Sequence, residues 1–329
     1  MTKTKFWMLA ILLLGFFVVS CDKTDPEPEI NEAELLVEYM ESATSPAANY
    51  GNGALAIKSA EVVHTSLAAG KSYIVDIRAA ADYANGHIEG AVNLVPGDVR
   101  GHIDDTDLSA YDDIIIVCYS GQTAAWLTTL LQLAGYSNVY SMKFGMCAWH
   151  EDFAGSWNSS ISNEKATLFT SDVTAKGEAG ELPELTTGFE TGEEIFDARW
   201  DVVLAEGFTP ASISVAEVYA ALDDYYIINY WPEAEYLDPG HIAGAVQYTP
   251  GVDLALGTNL KTLPTDKTVV VYCYTGQTSA KMACYLRMIG YDAKSLKFGA
   301  NAMIHDEMTV SPWTTGAIMG YDYVSDTTK

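Results

Sequence analysis

The octapeptide VCYSGQTA occupies Val117–Ala124, and YCYTGQTS occupies Tyr272–Ser279, roughly 155 residues further along. Each time a cysteine follows directly on a strand-forming run: DIIIV (Asp113–Val117) in the first copy, TVVVY (Thr268–Tyr272) in the second. β-Branched runs without polar alternation suit strands covered on both faces. After each cysteine the apolar period lengthens. Leu127, Leu130, Leu131 and Ala134 precede Gly135, and Met282, Tyr285, Leu286 and Ile289 precede Gly290. That spacing is one helix face closed by a glycine. A second short strand is expected at NVYSM and at AKSLK. Strand, tight loop, helix and strand describe a βαβ unit and a mostly parallel sheet, the α/β class.

Working outward, the rest of the chain repeats too. NGHIEGAVNL (Asn85–Leu94) matches PGHIAGAVQY (Pro239–Tyr248) at an offset of 154 residues. SMKFGMCAWHED (from Ser141) matches SLKFGANAMIHDE (from Ser295), KSAEVV matches SVAEVY, and YIVDIR (Tyr73–Arg78) matches YIINYW (Tyr226–Trp231), all in the same order. This is a duplicated domain rather than a solenoid. The expected organisation is a leader over residues 1–20, a tether over 21–30, a first domain over 31–157, a linker over 158–190, a second domain over 191–313 and a tail over 314–329. The chain is long enough for two separate cores, and the linker is expected to hold one packed piece at TLFT (Thr167–Thr170).

In open α/β sheets ligands bind at the carboxyl ends of the strands, which is where Cys118 and Cys273 fall. Gly121 and Gly276 let the backbone turn sharply, and Ser120, Thr123, Thr275 and Thr278 are small. Such a loop curls until successive N–H groups point at one spot, closed by a helix N-terminus. The field expected there favours thiolate and lowers the cysteine pKa. It also suits the extra negative sulfur of a persulfide.

These residues resemble the rhodanese family of sulfurtransferases. The resemblance is carried by Asp76 and Arg78, by GHIEGA (Gly86–Ala91), by the CYSGQT loop and by KFGMCAW (Lys143–Trp149), and it covers most of both halves. It implies two tandem domains, each a five-stranded, mostly parallel sheet flanked by helices. It also implies double displacement, in which a cysteine takes a sulfane sulfur from a small donor and passes it to a thiol or cyanide-like acceptor. On that reading Cys118 and Cys273 carry the persulfide. Tyr119, Ser120, Gly121, Gln122 and Thr123 form the first cradle, and Tyr274, Thr275, Gly276, Gln277 and Thr278 the second. Asp76 and Arg78 brace the strand end. His87 and His241 are expected to be structural.

Many single-domain rhodaneses place an arginine where Thr123 and Thr278 stand. The C-x-x-G-x-T form resembles instead the tandem thiosulfate and mercaptopyruvate sulfurtransferases. The positions directly after each cysteine (Tyr119, Ser120, Tyr274, Thr275) are uncharged, so a persulfide, polysulfide or mercaptopyruvate-like donor is expected ahead of thiosulfate. Domain two has Asn229 and Trp231 where domain one has Asp76 and Arg78, which ranks Cys118 first. The competing function is a catalytically weak binding or redox-sensing module. A phosphatase of related fold is disfavoured, because neither loop contains an arginine.

Composition narrows the partners. The chain carries 18 basic and 44 acidic residues, a net charge of −26, and such a surface repels nucleic acid and anionic lipid headgroups. Lys3 and Lys5 precede an apolar run, Phe6–Val19, whose length suits a signal peptide. The run ends in VVSC, which resembles the lipobox of bacterial lipoproteins. That implies acylation at Cys21, attachment to a membrane through that lipid, and residence in the cell envelope. DKTDPEPEINE then reads as a polar tether. The chain has no CxxC and no His/Cys cluster of zinc spacing, so neither a metal nor another cofactor is expected. Cys147 and Cys284 have no cysteine counterpart in the other half and are expected to be core residues, with Cys147 a resolving thiol if it lies beside Cys118.

Overall fold

The computed structural model describes residues 31–42 and 56–326; the expected leader, the tether and Cys21 lie outside them. The first half supplies β1 (Ile57–Lys58), β2 (Ser72–Asp76), β3 (Val92–Asn93), β4 (Asp113–Val117) and β5 (Val139–Met142), all parallel, in the order β1-β5-β4-β2-β3. After β6 (Phe169–Thr170), the second half supplies β7 (Ser212–Ile213), β8 (Tyr225–Asn229), β9 (His241–Ile242), β10 (Val246–Gln247), β11 (Thr268–Tyr272) and β12 (Ala293–Leu296). Its sheet runs β10-β8-β11-β12-β7, again wholly parallel. Two tandem α/β domains, each with a five-stranded parallel sheet and flanking helices, are therefore present. The runs DIIIV and TVVVY become β4 and β11, the central strand of each sheet, where both faces are covered.

Each central strand leads through its cysteine loop into a helix, Gln122–Leu133 or Gln277–Ile289. These two helices pack against each other across the middle of the molecule. Leu127, Leu130 and Leu131 of one and Met282, Tyr285 and Leu286 of the other belong to a single buried cluster. The expectation of two separate cores therefore needs correcting. One inner core is shared by both halves, and each half adds an outer cluster on the far face of its sheet. The cause is the helix composition: both loop helices are buried almost all round, so neither half can leave its own exposed to water. The helix Glu32–Glu41 and the helix Gly192–Glu206 also pack together, adding to that inner layer.

The segments that follow each domain cross over. Residues 162–165 lie along the second half, where Ser162 N–H donates to Asn301 O and Lys165 N–H to Met303 O. TLFT is packed as expected: β6 pairs antiparallel with β9, Thr170 opposite His241. The tail does the same to the first half. Met319 N–H donates to Ala148 O, Tyr321 N–H donates to Trp149 O, and Val324 pairs antiparallel with His87. Ser171 Oγ donates to Leu237 O and Ser325 Oγ to Ala84 O. Linker and tail are thus equivalent straps, each fastened to the domain it does not follow.

Candidate active site

Gly121 and Gly276 stand at the N-caps of the loop helices with φ of 85° and 79°. Only glycine adopts this region at low cost. The turns bring backbone amides onto sulfur. At Cys118, Gly121 N–H donates to Sγ at 3.2 Å and Ala124 N–H at 3.4 Å, and the Ser120 amide adds to the same field. At Cys273, Ser279 N–H donates to Sγ at 3.3 Å, while the thiol itself donates toward Ser279 Oγ at 3.6 Å. Ser279 Oγ shares a 2.8 Å hydrogen bond with Ser295 Oγ, which in turn donates to Gly276 O. The second sulfur therefore joins a chain of buried hydroxyls for which the first, with Ala124 at the corresponding position, has no counterpart.

Both sulfurs are deeply set, with Cys118 at 6% and Cys273 at 1% exposure. For Cys118 this reverses the expected direction of the pKa. Burial pushes its thiol above the ordinary value; the Ala124, Gly121 and Ser120 amides pull it down by less, and the Asp76 carboxylate pushes it further up. Amide convergence is present, but desolvation outweighs it.

The loop carbonyls rest on the turn after the next strand. Met146 N–H donates to Cys118 O and Cys147 N–H to Tyr119 O. Gly145 lies so close beneath that a Cβ would come within 2.4 Å of Tyr119 O and closer still to Cys118 O. Gly299 occupies the same position under Cys273. Trp157 Nε1 donates to Ser120 O, and Thr275 Oγ1 accepts from Gln277 N–H. Thr123 and Thr278 are half-buried in the first turn of each helix.

Asp76 and Arg78 form a buried pair at the end of β2. Arg78 Nη2 reaches Asp76 Oδ2 at 2.6 Å and Gly86 O at 2.7 Å, and Arg78 Nε bridges both carboxylate oxygens. The guanidinium lies 5.1 Å from the Tyr119 ring centre, and Tyr119, 36% exposed, donates its hydroxyl to Asp82. In the second half Asn229 donates to the Tyr272 hydroxyl instead, and Trp231 stacks on Tyr274 with centroids 5.0 Å apart. An ion pair beside the first mouth is replaced by an aromatic stack beside the second.

His87 and His241 hold turns. Their Nδ1 atoms bond Tyr83 O and Tyr236 O, and their rings stack on those tyrosines. Cys147 donates to Phe153 O, and burial pushes its thiol up to about 11. Cys284 lies wholly inside the shared core. Cys118, Cys147, Cys273 and Cys284 are all free thiols. Among the described residues no His, Cys, Asp or Glu group is arranged to hold a metal, and no helix is long and apolar enough to cross a membrane.

The profile of the Rhodanese-like domain family matches residues 59–152 and 214–305. The chain belongs to the rhodanese-like family. Among curated relatives, a protein named thiosulfate sulfurtransferase GlpE from Shewanella oneidensis is 37% identical over 78 residues, covering 24% of this chain and 75% of that one. Its namesake from Pseudomonas entomophila is 37% identical over 90 residues, covering 27% of this chain and 81% of that protein. Among solved structures, a thiosulfate sulfurtransferase from Pseudomonas aeruginosa aligns at 18% identity with a TM-score of 0.31, over 86% of this chain and 48% of that one. Both rhodanese-like matches enclose a cysteine loop, and each begins at the N-cap serine of a helix (Ser59, Ser214).

Sequence reasoning missed the amides of Ala124 and Ser279, which stand one residue past each quoted cradle. Helical geometry was the available signal: a residue two positions into the first turn still has a free N–H.

Proposed function

We propose that this rhodanese-like chain is a sulfurtransferase that moves a sulfane sulfur from a small donor to a thiophilic acceptor through a persulfide on Cys118, with Cys273 as a second carrier. The observation that carries the reading is the convergence of the Gly121 and Ala124 amides on Cys118 Sγ at the end of the central strand. The Cys118 thiolate attacks the donor's transferable sulfur and a new S–S bond forms. The donor remnant leaves with the electron pair of the broken S–S bond or, for a mercaptopyruvate-like donor, of the broken C–S bond, its carbon then taking the proton of the donor thiol. An acceptor thiolate or cyanide-like nucleophile then takes the outer sulfur, and Cys118 departs as thiolate. Amide hydrogens aimed at that point favour the anionic species in both steps.

The donor we favour is a persulfide, a polysulfide or a mercaptopyruvate-like compound. No basic side chain stands in either loop, and the charge of Arg78 is matched by Asp76, so doubly anionic thiosulfate gains little. The Ser279 amide, against the Gly121 and Ala124 amides at Cys118, and the hydroxyl chain at Cys273 support a lesser role for that cysteine. We further propose that acylated Cys21 holds the protein on a membrane of the cell envelope; a Cys21→Ser chain recovered in the membrane fraction as fully as wild type overturns this.

Incubation with a panel of donors followed by intact-mass measurement tests the transfer. The expected result is a gain of one sulfur atom per loaded cysteine, with Cys118→Ser removing the faster-loading species and Cys273→Ser the slower. Absence of any gain with every donor overturns the proposal.

A further inference from the structure

The two loop glutamines reach across the molecule. Gln277 begins the helix of the second loop, yet its side chain bonds the first half throughout. Its Oε1 accepts from Phe144 N–H at 2.9 Å, and its Nε2 donates to Gly121 O and to Met142 O, both at 3.3 Å. Gln122 returns the gesture incompletely. Its Oε1 accepts from Phe298 N–H at 2.9 Å, but its Nε2 stays at home on Ser120 Oγ. Gln277 is wholly buried and Gln122 nearly so.

The groups they grip support the sulfur sites. Phe144 and Phe298 have φ of 62° and 61°, a left-handed conformation that a bulky residue holds only where its surroundings enforce it. Each precedes the glycine on which a cysteine carbonyl rests. Phe144 and Phe298 also meet edge-on against Trp157, which stacks on Trp313, so the turns of both halves share one aromatic cluster. The crossing grips are unequal in one respect that matters for sulfur. Gln277 holds the carbonyl of Gly121, and Gly121 N–H points at Cys118 Sγ at 3.2 Å. The carbonyl of Gly276 is held by Ser295 from its own half, and the amide found on Cys273 is that of Ser279.

We propose that Gln277 is a positioning residue for Cys118: it fixes Gly121 and the Phe144 turn from the opposite half, so that the first sulfur site is completed only by the second domain. This deepens the sulfurtransferase reading and rests on it, but its test is separable, because alkylation reports the thiolate whether or not sulfur moves.

The experiment uses the full-length protein in a Cys273→Ser background. The rate of Cys118 carbamidomethylation by iodoacetamide is followed by mass spectrometry from pH 6 to 10 or above, alongside persulfide loading. Gln277→Met is expected to move the Cys118 profile about one pH unit upward and slow alkylation at neutral pH about tenfold, the size of one lost hydrogen bond to a charged sulfur. If circular dichroism shows Gln277→Met unfolded, Gln277→Leu takes its place, since it is uncharged, close in volume and lacks the donors to Gly121 O and Met142 O. A profile that stays in place in the folded variant overturns the proposal, as does slowing without a shift in pH. A shifted alkylation profile in a protein that accepts sulfur from no donor upholds the positioning role and rejects the transfer reading.

Discussion

At Cys118 two opposed effects act on one sulfur. Two or three amide hydrogens favour the anion, burial disfavours it, and burial wins. The thiol is the acidic partner, so a raised pKa means that its reactive form is scarce at neutral pH and increases as pH rises. Alkylation and sulfur loading at Cys118 are therefore expected to climb about tenfold per pH unit through the neutral range, with no plateau there. A plateau near neutrality contradicts the burial argument. The place of the cysteine was legible because it recurs at the end of a strand-forming run, which is the central strand of each sheet. The sign of its pKa was not, because loop composition reveals the donors but not how much protein covers them. Asp76 and Arg78 illustrate the same limit. Their pairing could be anticipated from proximity in the chain, but the contact of the guanidinium with Gly86 O and Tyr119 depends on where two other segments come to rest.

At the scale of elements, central strands and loop helices were the easiest to read. DIIIV and TVVVY coincide with β4 and β11 because a strand buried on both faces must be apolar at every position. The period of 3.6 located the helices for an equally direct reason. The turns at Gly145 and Gly299 gave no periodic signal, yet each determines whether a cysteine loop can stay curled. Gly145 has φ 59°, and a methyl group there collides with the carbonyls of Cys118 and Tyr119 and with the Gly121 amide. Gly145→Ala is accordingly expected to cost on the order of 2–4 kcal/mol from backbone strain and overpacking. Sulfur loading at Cys118 should fall more than tenfold, while Cys273 retains its own. Thermal unfolding and site-resolved mass spectrometry measure the two effects; unchanged loading at Cys118 contradicts the role assigned to this turn.

At the scale of the molecule, the duplication runs further than the matched motifs suggested. Phe169–Asp172 (FTSD) and Tyr323–Asp326 (YVSD) stand 154 residues apart, the spacing of the two GHI motifs, and they make matching contacts with opposite halves. The four-residue signal was in the sequence. It lacked apolar period and lay outside the strongest matches, so it read as linker and tail. Because Trp149, His64 and His87 of the first half each meet tail residues, truncation after Trp313 is expected to destabilise the first half by several kcal/mol, seen as a lower unfolding midpoint. Hydrogen exchange should rise at His87, whose N–H donates to Val324 O, with the β11 amides spared; protection unchanged at His87 contradicts the strap assignment.

The exchange of straps also bears on what a protease could do here. Residues 175–181, between the first strap and the next helix, are mostly exposed. A single scission there would cut the backbone without freeing either fragment, since each would still be clasped by the other's trailing end and joined to it through a common interior. Nicked protein should thus migrate as one particle until denatured, like two hands that go on gripping each other's wrists after the rope between them is severed.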